Sequence, residues 1–519
     1  MVKARYSGGK LREMTKGKKS IYTAISGFSL TLINGLLGLI VINLIISNYG
    51  SDFNGLNSTA TQFITMLLLI ESGFTLATNV ALFRPLADQD YNAINKIMSA
   101  TKRIFNKIGI VFFLIGIILS IGYTFLIKTD LSNNIVILTF LMTVISTSFN
   151  LFYTTKFRIL IQTEQKEYIL NSIQIFTLII QQVIIIIVIL LEGHMLLVRF
   201  VTMVGAIING LIIAYIFKKS YDFVDFNAIP DYKAIKGTKD VFIQKFTSVL
   251  YLSFPIIFIS ATAGTIYASV FSVYNSIFLM LKNVIYAFIN APQMGFGKLL
   301  AENDKNYACK VFIQYEFIAI NVLLCLLTTA TVLIMPFINI YTKGFVDIDY
   351  TNWYIALLLI GITFFEIIHI PSGHIINMSG NFKVARNIQI AASVVLITVM
   401  IIGNMIFGFY GILLAVLSTA VLLAVLEINY VYMVFFKRSS LDLLKILLPN
   451  FIVSMLLSYF GISLLPTIKG YLEFIIAGFI LVILNGSVIL IFNLIINRKI
   501  TIEILNRMRV SIPRKFQTK

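Results

Sequence analysis

Residues 84–96 read RPLADQDYNAINK, and residues 298–310, 214 positions later, read KLLAENDKNYACK. Leu86, Ala87, Asp90, Asn92 and Lys96 recur unchanged as Leu300, Ala301, Asp304, Asn306 and Lys310, while Arg84, Asp88 and Gln89 recur as Lys298, Glu302 and Asn303. A second echo, offset by 215, pairs Ile173-Gln174-Ile175 with Ile388-Gln389-Ile390 and Ile161-Gln162 with Ile376-Asn377. Two separate echoes at nearly one offset point to an internal duplication. In a chain dominated by apolar runs, that pattern predicts two membrane halves packed face to face, the plan on which many transporters build a central substrate site.

Composition sets the class. Hydrophobic residues make up 58% of the 519, charged residues only 12%, and the mean hydropathy is +0.91. A soluble domain cannot hide that much apolar surface. In lipid only helices and closed barrels satisfy their own backbone, and apolar runs of about 20 residues are helices. The runs predict an all-α polytopic membrane protein with about fourteen spans, among them span two at 57–83, span eight at 268–290 and span ten at 354–372. With the N-terminus inside, the 41 Lys and Arg are almost all cytoplasmic. Only Lys128, Lys343 and Lys469 fall outside, and only Arg199 and Lys282 within spans. This is the positive-inside rule, and it makes the net charge of +18 a topology signal rather than a nucleic-acid signal.

The expected organisation is a basic cytoplasmic segment at 1–20, an N-lobe of helices 1–6 at 21–217, and a cytoplasmic linker at 218–240. A C-lobe of helices 7–12 follows at 241–436, and 437–519 holds helices 13 and 14 and a basic cytoplasmic tail. Six spans per half return the chain to one side, so the repeats run parallel, enclosing a central cavity. The last two spans fall outside the repeat. The basic residues before Ser20, ahead of an apolar run too long for a signal sequence, are expected to stay on the mature chain. Basic head and tail segments suit anionic headgroups.

Several chemistries lack their residues. Gly17-Lys18-Lys19-Ser20 has neither the spacing nor the preceding strand of a phosphate-cradling loop. His194, His369 and His374 do not fall at metal-ligand spacing with carboxylates, and Cys309 and Cys325 are read as packing residues. No catalytic residue, metal or cofactor is expected, nor enzymatic activity. The informative residues are charges inside spans, where an unpaired ion costs a few kcal/mol or more. Glu71 lies deep in span two. Lys282 lies in span eight and maps at the repeat offset onto Leu68, one turn from Glu71, so the two either line one cavity as a pair, form a structural ion pair, or leave the lysine snorkelling towards the inner interface. Arg199, near the outer end of span six, either snorkels to headgroups or faces an anion-binding cavity. Glu316, Glu366 and Glu427 are coupling-ion or cavity candidates, while Arg84 and Lys298 mark the inner ends of spans two and eight as topology anchors or phosphate contacts.

The stretch Glu71-Ser72-Gly73-Phe74, running on to Ala81-Leu82-Phe83-Arg84-Pro85-Leu86-Ala87, resembles the second-helix signature of polysaccharide (O-antigen or capsule-type) flippases of the multidrug/oligosaccharidyl-lipid/polysaccharide exporter superfamily. Met335-Pro336-Phe337-Ile338-Asn339-Ile340-Tyr341 before Gly344 is similar to that family's end of span nine, and Gly408-Phe409-Tyr410-Gly411-Ile412 to its turn between spans eleven and twelve. The resemblance implies export of an undecaprenyl-pyrophosphate-linked oligosaccharide by alternating access for surface polysaccharide biosynthesis. It also implies cations facing the pyrophosphate, for which Lys282, Arg199, Arg84 and Lys298 are the candidates. Expected partners are the lipid-linked oligosaccharide, membrane lipids, a coupling proton or sodium ion and a polysaccharide polymerase, with no nucleic acid. The expected location is a bacterial cytoplasmic membrane with both termini cytoplasmic. The alternatives are a cation-coupled multidrug exporter of the same superfamily and a membrane glycan-assembly enzyme or scaffold.

Single cysteines introduced in the 128–134 and 264–268 loops should react with an impermeant thiol reagent added outside, and cysteines in 218–240 should not. Labelling of the central loop from outside would refute the topology.

Overall fold

Fourteen expected spans and the helices observed differ in how they are counted, and the difference lies in two backbone features. The computed structural model describes residues 16–235, 239–290, 296, 299–300 and 305–511, and every regular element among them is helical. In chain order these are α1 (Lys16–Leu67), α2 (Leu69–Ala87), α3 (Tyr91–Gly122), α4 (Asn133–Phe149), α5 (Thr155–Thr163), α6 (Glu167–Leu190), α7 (Met195–Ser220) and α8 (Lys239–Thr262). There follow α9 (Thr265–Ile289), α10 (Lys305–Tyr341), α11 (Trp353–Ile368), α12 (Ile370–Met378), α13 (Phe382–Phe407), α14 (Phe409–Asn429), α15 (Leu441–Leu464), α16 (Tyr471–Ile496) and α17 (Arg498–Ser511). Among the described residues twelve helical stretches are long and apolar enough to cross a membrane. The first of them contains non-helical backbone at Gly50, beyond which residues 51–67 and α2 form one more span. Phe246–Thr262 in α8 is a shorter apolar helix that supplies the other.

Gly50 (φ 85°, ψ 165°) has a counterpart 214 residues on in Gly264 (φ 107°, ψ 164°), immediately before α9. That region of backbone space is open to glycine alone. The second echo also has a backbone counterpart. Gln165 (φ 59°) and Gly380 (φ 76°) end helices with the same closing bond, Lys166 N to Ile161 O and Asn381 N to Ile376 O, each 3.1 Å. The duplication is therefore written in turn geometry as well as in sequence. Asp90 caps α3 by accepting from Ala93 N at 3.0 Å, whereas Lys298 and residues 301–304 of the second copy lie outside the described residues.

The chain divides into two compact units. Unit 1 comprises Met1–Tyr49 with Ala60–Phe242, and unit 2 comprises Gly50–Thr59 with Ile243–Lys519. The sequence reading assigned all of 21–217 to one lobe, but residues 50–59 belong by packing to unit 2. Their polar side chains explain it. Ser51 donates from N and Oγ to the Asp347 carboxylate (2.5 and 2.9 Å), and Asn54 Nδ2 donates to Ser269 Oγ and Ser272 Oγ (2.7 and 3.2 Å). Thr265 Oγ1 donates to Asp52, and a Cβ on Gly55 would lie 1.7 Å from the Thr265 carbonyl oxygen.

In unit 1 the core is aromatic and aliphatic, with Phe105, Leu160 and Phe217 buried among α3, α5 and α7. Residues 221–235, read from sequence as part of a linker, dock along the first turns of α3. Asn95 Nδ2 donates to Phe223 O (3.2 Å), Ser99 Oγ donates to Ala228 O (2.6 Å), and Asp231 N donates to Lys96 O (3.2 Å). In unit 2 the two helices beyond the repeat are tied to α10 by buried amides and hydroxyls. Asn493 Nδ2 of α16 donates to Asn450 Oδ1 of α15 (2.6 Å) and to Asn321 Oδ1 of α10 (2.8 Å). Asn485 Nδ2 donates to Thr329 Oγ1 (2.9 Å), and Thr328 and Ser454 hydroxyls are hydrogen-bonded. Lipid offers these groups no alternative partner, and small polar side chains are accordingly used to join membrane helices.

Asn493→Leu removes the amide that joins α10, α15 and α16 and should cost about 1–2 kcal/mol, seen as a fall of several degrees in the thermal unfolding midpoint of the detergent-purified protein. An unchanged midpoint would show that apolar packing alone holds the appended pair.

Candidate functional site

Unit 2 gathers titratable side chains from six helices. Lys282 on α9 places its Nζ 2.9 Å from Glu366 Oε2 on α11, and both side chains are nearly buried, at 8% and 11% exposure. Two opposite charges at that distance satisfy each other where water cannot, and removing either would strand the other. The phenols of Tyr251 and Tyr286 stand within electrostatic reach of the same carboxylate.

Span ten is broken one residue past α11. Pro371 has no N–H to continue the ladder, and its ring excludes a regular helix at the carbonyl four residues earlier, so α11 ends at Ile368 and α12 begins at Ile370. His369, at the break, points its Nδ1 at Glu427 Oε2 of α14, 2.9 Å away. Gly373 makes room for that carboxylate, since a Cβ there would lie 2.8 Å from Glu427 Oε2. His369 is also in electrostatic reach of Glu366, and His374 of Glu427. His374 Nδ1 lies 3.0 Å from the Tyr315 hydroxyl, which donates its one proton to Ile289 O at 2.8 Å. The hydroxyl must then accept from His374, which fixes the proton on Nδ1. Beside this chain of groups the buried Glu316 accepts from the Tyr432 hydroxyl, which is presented by a wide helical turn at Tyr430–Phe435. The arrangement can pass a proton between a carboxylate and a histidine and can exchange the partner of one ammonium group.

Of the expected cations among the described residues, only Lys282 joins this cluster. Its partner is Glu366 and not Glu71, because α9 packs directly on α11 within unit 2. Glu71 belongs to unit 1, in the first turn of α2 after an interruption at Leu68. There it accepts from Thr75 Oγ1 at 3.4 Å, with Thr155 and Arg158 nearby. Arg199 does not snorkel outward. It is buried in unit 1 and donates from Nη2 to Thr61 Oγ1 at 2.9 Å. Arg84 is exposed and meets Asp88 at 3.6 Å, and Lys298 lies outside the described residues. Lys156 falls among the Lys and Arg that the positive-inside pattern places in the cytoplasm, yet it is buried, donates to Phe152 O (3.2 Å) and lies 5.4 and 5.2 Å from the Tyr153 and Phe157 ring centroids. The flanking aromatics were the available signal.

No described protein family and no characterised protein matches the chain by sequence. Solved structures do. The lipid II flippase MurJ in an inward closed conformation matches at TM-score 0.64 and 14% identity, over 90% of this chain and 98% of that one. An inward-facing multidrug resistance MATE family transporter of the MOP superfamily matches at TM-score 0.57 and 13% identity, over 84% of this chain and 99% of that one. The eukaryotic MATE transporter AtDTX14 matches at TM-score 0.54 and 12% identity, over 83% and 99%. The chain is a multi-pass membrane protein with the fold that this lipid II flippase shares with MATE transporters of the MOP superfamily.

Proposed function

We propose that the protein is a flippase that moves an undecaprenyl-pyrophosphate-linked oligosaccharide across a bacterial cytoplasmic membrane by alternating access, for surface polysaccharide assembly. The observation that carries this reading is the helix pair beyond the duplication. The MATE match uses 99% of the transporter but only 84% of this chain, whereas the flippase match extends over 90%. In this reading both termini are cytoplasmic, which the one-sided placement of Lys and Arg supports, and a polysaccharide polymerase receives the product.

Lys282 is the proposed contact for the pyrophosphate. Its ammonium is held by Glu366. A pyrophosphate carries more negative charge than one carboxylate and forms charge-assisted hydrogen bonds, so it competes for the lysine. Glu366 then loses its cation, so substrate binding and rearrangement of this nearly buried pair are linked. His369 and Glu427 provide an adjacent proton position, and histidine is the side chain whose ordinary titration lies nearest neutrality. Arg84 and Lys298 serve as phosphate contacts at the cytoplasmic mouth, Arg199 as a cation of unit 1, and Glu71 and Glu316 as further cavity or coupling carboxylates.

A second reading is a cation-coupled multidrug exporter. It is favoured by the buried and nearly buried carboxylates of unit 2, where Glu316, Glu366 and Glu427 accompany Lys282, the single buried lysine of that unit among the described residues. In bacteria lacking their own glycan flippase, expression of this protein should restore surface glycan and clear accumulated lipid-linked precursor. Drug resistance without glycan rescue would favour the exporter.

Lys282→Ala should lose at least about 90% of glycan export, and Lys282→Arg should keep part of it because the charge-assisted contact survives. Lys282→Ala also strands Glu366 and should destabilise the protein by about 3 kcal/mol, so Lys282→Ala/Glu366→Gln is the informative variant. It should regain normal abundance in the membrane while remaining inactive in export. Recovery of both abundance and export would reduce the pair to a structural role. His369→Gln should flatten the pH dependence of transport between about pH 6 and 8; an unaltered profile would take this histidine out of the coupling.

A further inference from the structure

The C-terminal helix α17 is held against unit 2 by a polar lock. Glu503 accepts from Lys310 Nζ (3.0 Å) and Gln314 Nε2 (2.8 Å), both on the first turns of α10, and Thr501 Oγ1 donates to Asn493 O (3.1 Å). The hydrogen bond from Lys310 holds the Glu503 carboxyl below its ordinary range. The lock is therefore intact at neutral pH and weakens only as pH falls through that lowered value.

Under α17 lie two apolar cavities, one of about 240 Å³ and one of about 400 Å³. Phe288, Ile318, Val322 and Ile504 line both, so the cavities flank a common wall. The smaller one has three polar neighbours. Gln314 is used by Glu503 and the Tyr315 hydroxyl by Ile289 O and His374, which leaves Arg507. Glu503, one helical turn before Arg507, would be its natural partner but is occupied by Lys310 and Gln314. Arg507 forms no ion pair among the described residues and is exposed. Arg498 and Lys499 at the start of α17 are also exposed, and Arg507 is the cation of this helix that lines a cavity.

We infer that the cleft between α17 and the adjoining ends of α9 and α10 binds one anionic diacyl phospholipid, its phosphate on Arg507 and its two acyl chains in the two cavities. A free phosphate would leave both cavities unfilled, and a zwitterionic lipid of the same chains would bring a cation towards Arg507. Paired apolar slots beneath a guanidinium match a headgroup with two chains. The site is separate from the proposed transport function and stands without it. It also reaches the buried cluster, because Tyr315 lines the smaller cavity while bonding His374.

The test uses the full-length protein, purified in detergent and delipidated, with native mass spectrometry and thermal unfolding in the presence of phosphatidylglycerol or phosphatidylcholine of identical chains. One phosphatidylglycerol per chain should bind at least about fivefold more tightly than phosphatidylcholine and raise the unfolding midpoint. Arg507→Gln, which alters an exposed side chain and keeps the fold, should bring phosphatidylglycerol down to the level of phosphatidylcholine. Val322→Phe, which fills the common wall, should lose both lipids. Equal binding of the two lipids, full phosphatidylglycerol binding by Arg507→Gln, or equally tight binding of single-chain lysophosphatidylglycerol would each overturn the assignment.

Discussion

The absence of water in the bilayer core governs this structure at every level. Backbone amides and carbonyls there must be satisfied within the chain, which leaves helices and confines irregular backbone to a few interruptions. The same constraint acts on side chains. Lys282 is neutralised by Glu366, Arg199 is buried against Thr61, and Asn493 joins three helices through its amide. Where a helix breaks inside a span, at His369 before Pro371, the freed ring is immediately engaged by Glu427.

Duplication supplied the scaffold without supplying the chemistry. Turns that require unusual backbone, at Gly50 and Gly264 and at Gln165 and Gly380, are kept in both copies. The charges are not. At the repeat offsets Lys282 falls opposite Leu68, Glu366 opposite Leu151 and Glu427 opposite Ile213. Turn geometry determines whether the helices can pack at all, whereas a single buried charge can be exchanged for an aliphatic side chain provided its partner changes too. In unit 2 the charges meet partners, Lys282 with Glu366 and His369 with Glu427, and the titratable groups form one connected cluster. In unit 1 Glu71 lies beside Thr75, Arg199 on Thr61 and Lys156 among aromatic rings.

Sequence alone determined the class, the approximate number of spans, the duplication and the appended helix pair. All four follow from apolar run length and recurrence, which are local or one-dimensional properties. It also singled out Lys282, Glu366 and Glu427, since a charge within an apolar run is conspicuous without knowledge of the fold. Only the tertiary structure decided who meets whom. Lys282 and Glu366 are 84 residues apart, and His369 and Glu427 are 58 apart. The packing of α9 on α11 chose Glu366 over Glu71, and the shape of unit 1 put Lys156 inside rather than at a loop. Residues 50–59 went to unit 2 because their hydrogen-bonding partners, Thr265, Ser269 and Asp347, come from segments more than two hundred residues distant. Hydropathy is a property of each residue and its neighbours in sequence, but satisfaction of a buried polar group is a property of a pair, and pairs are made by helix packing.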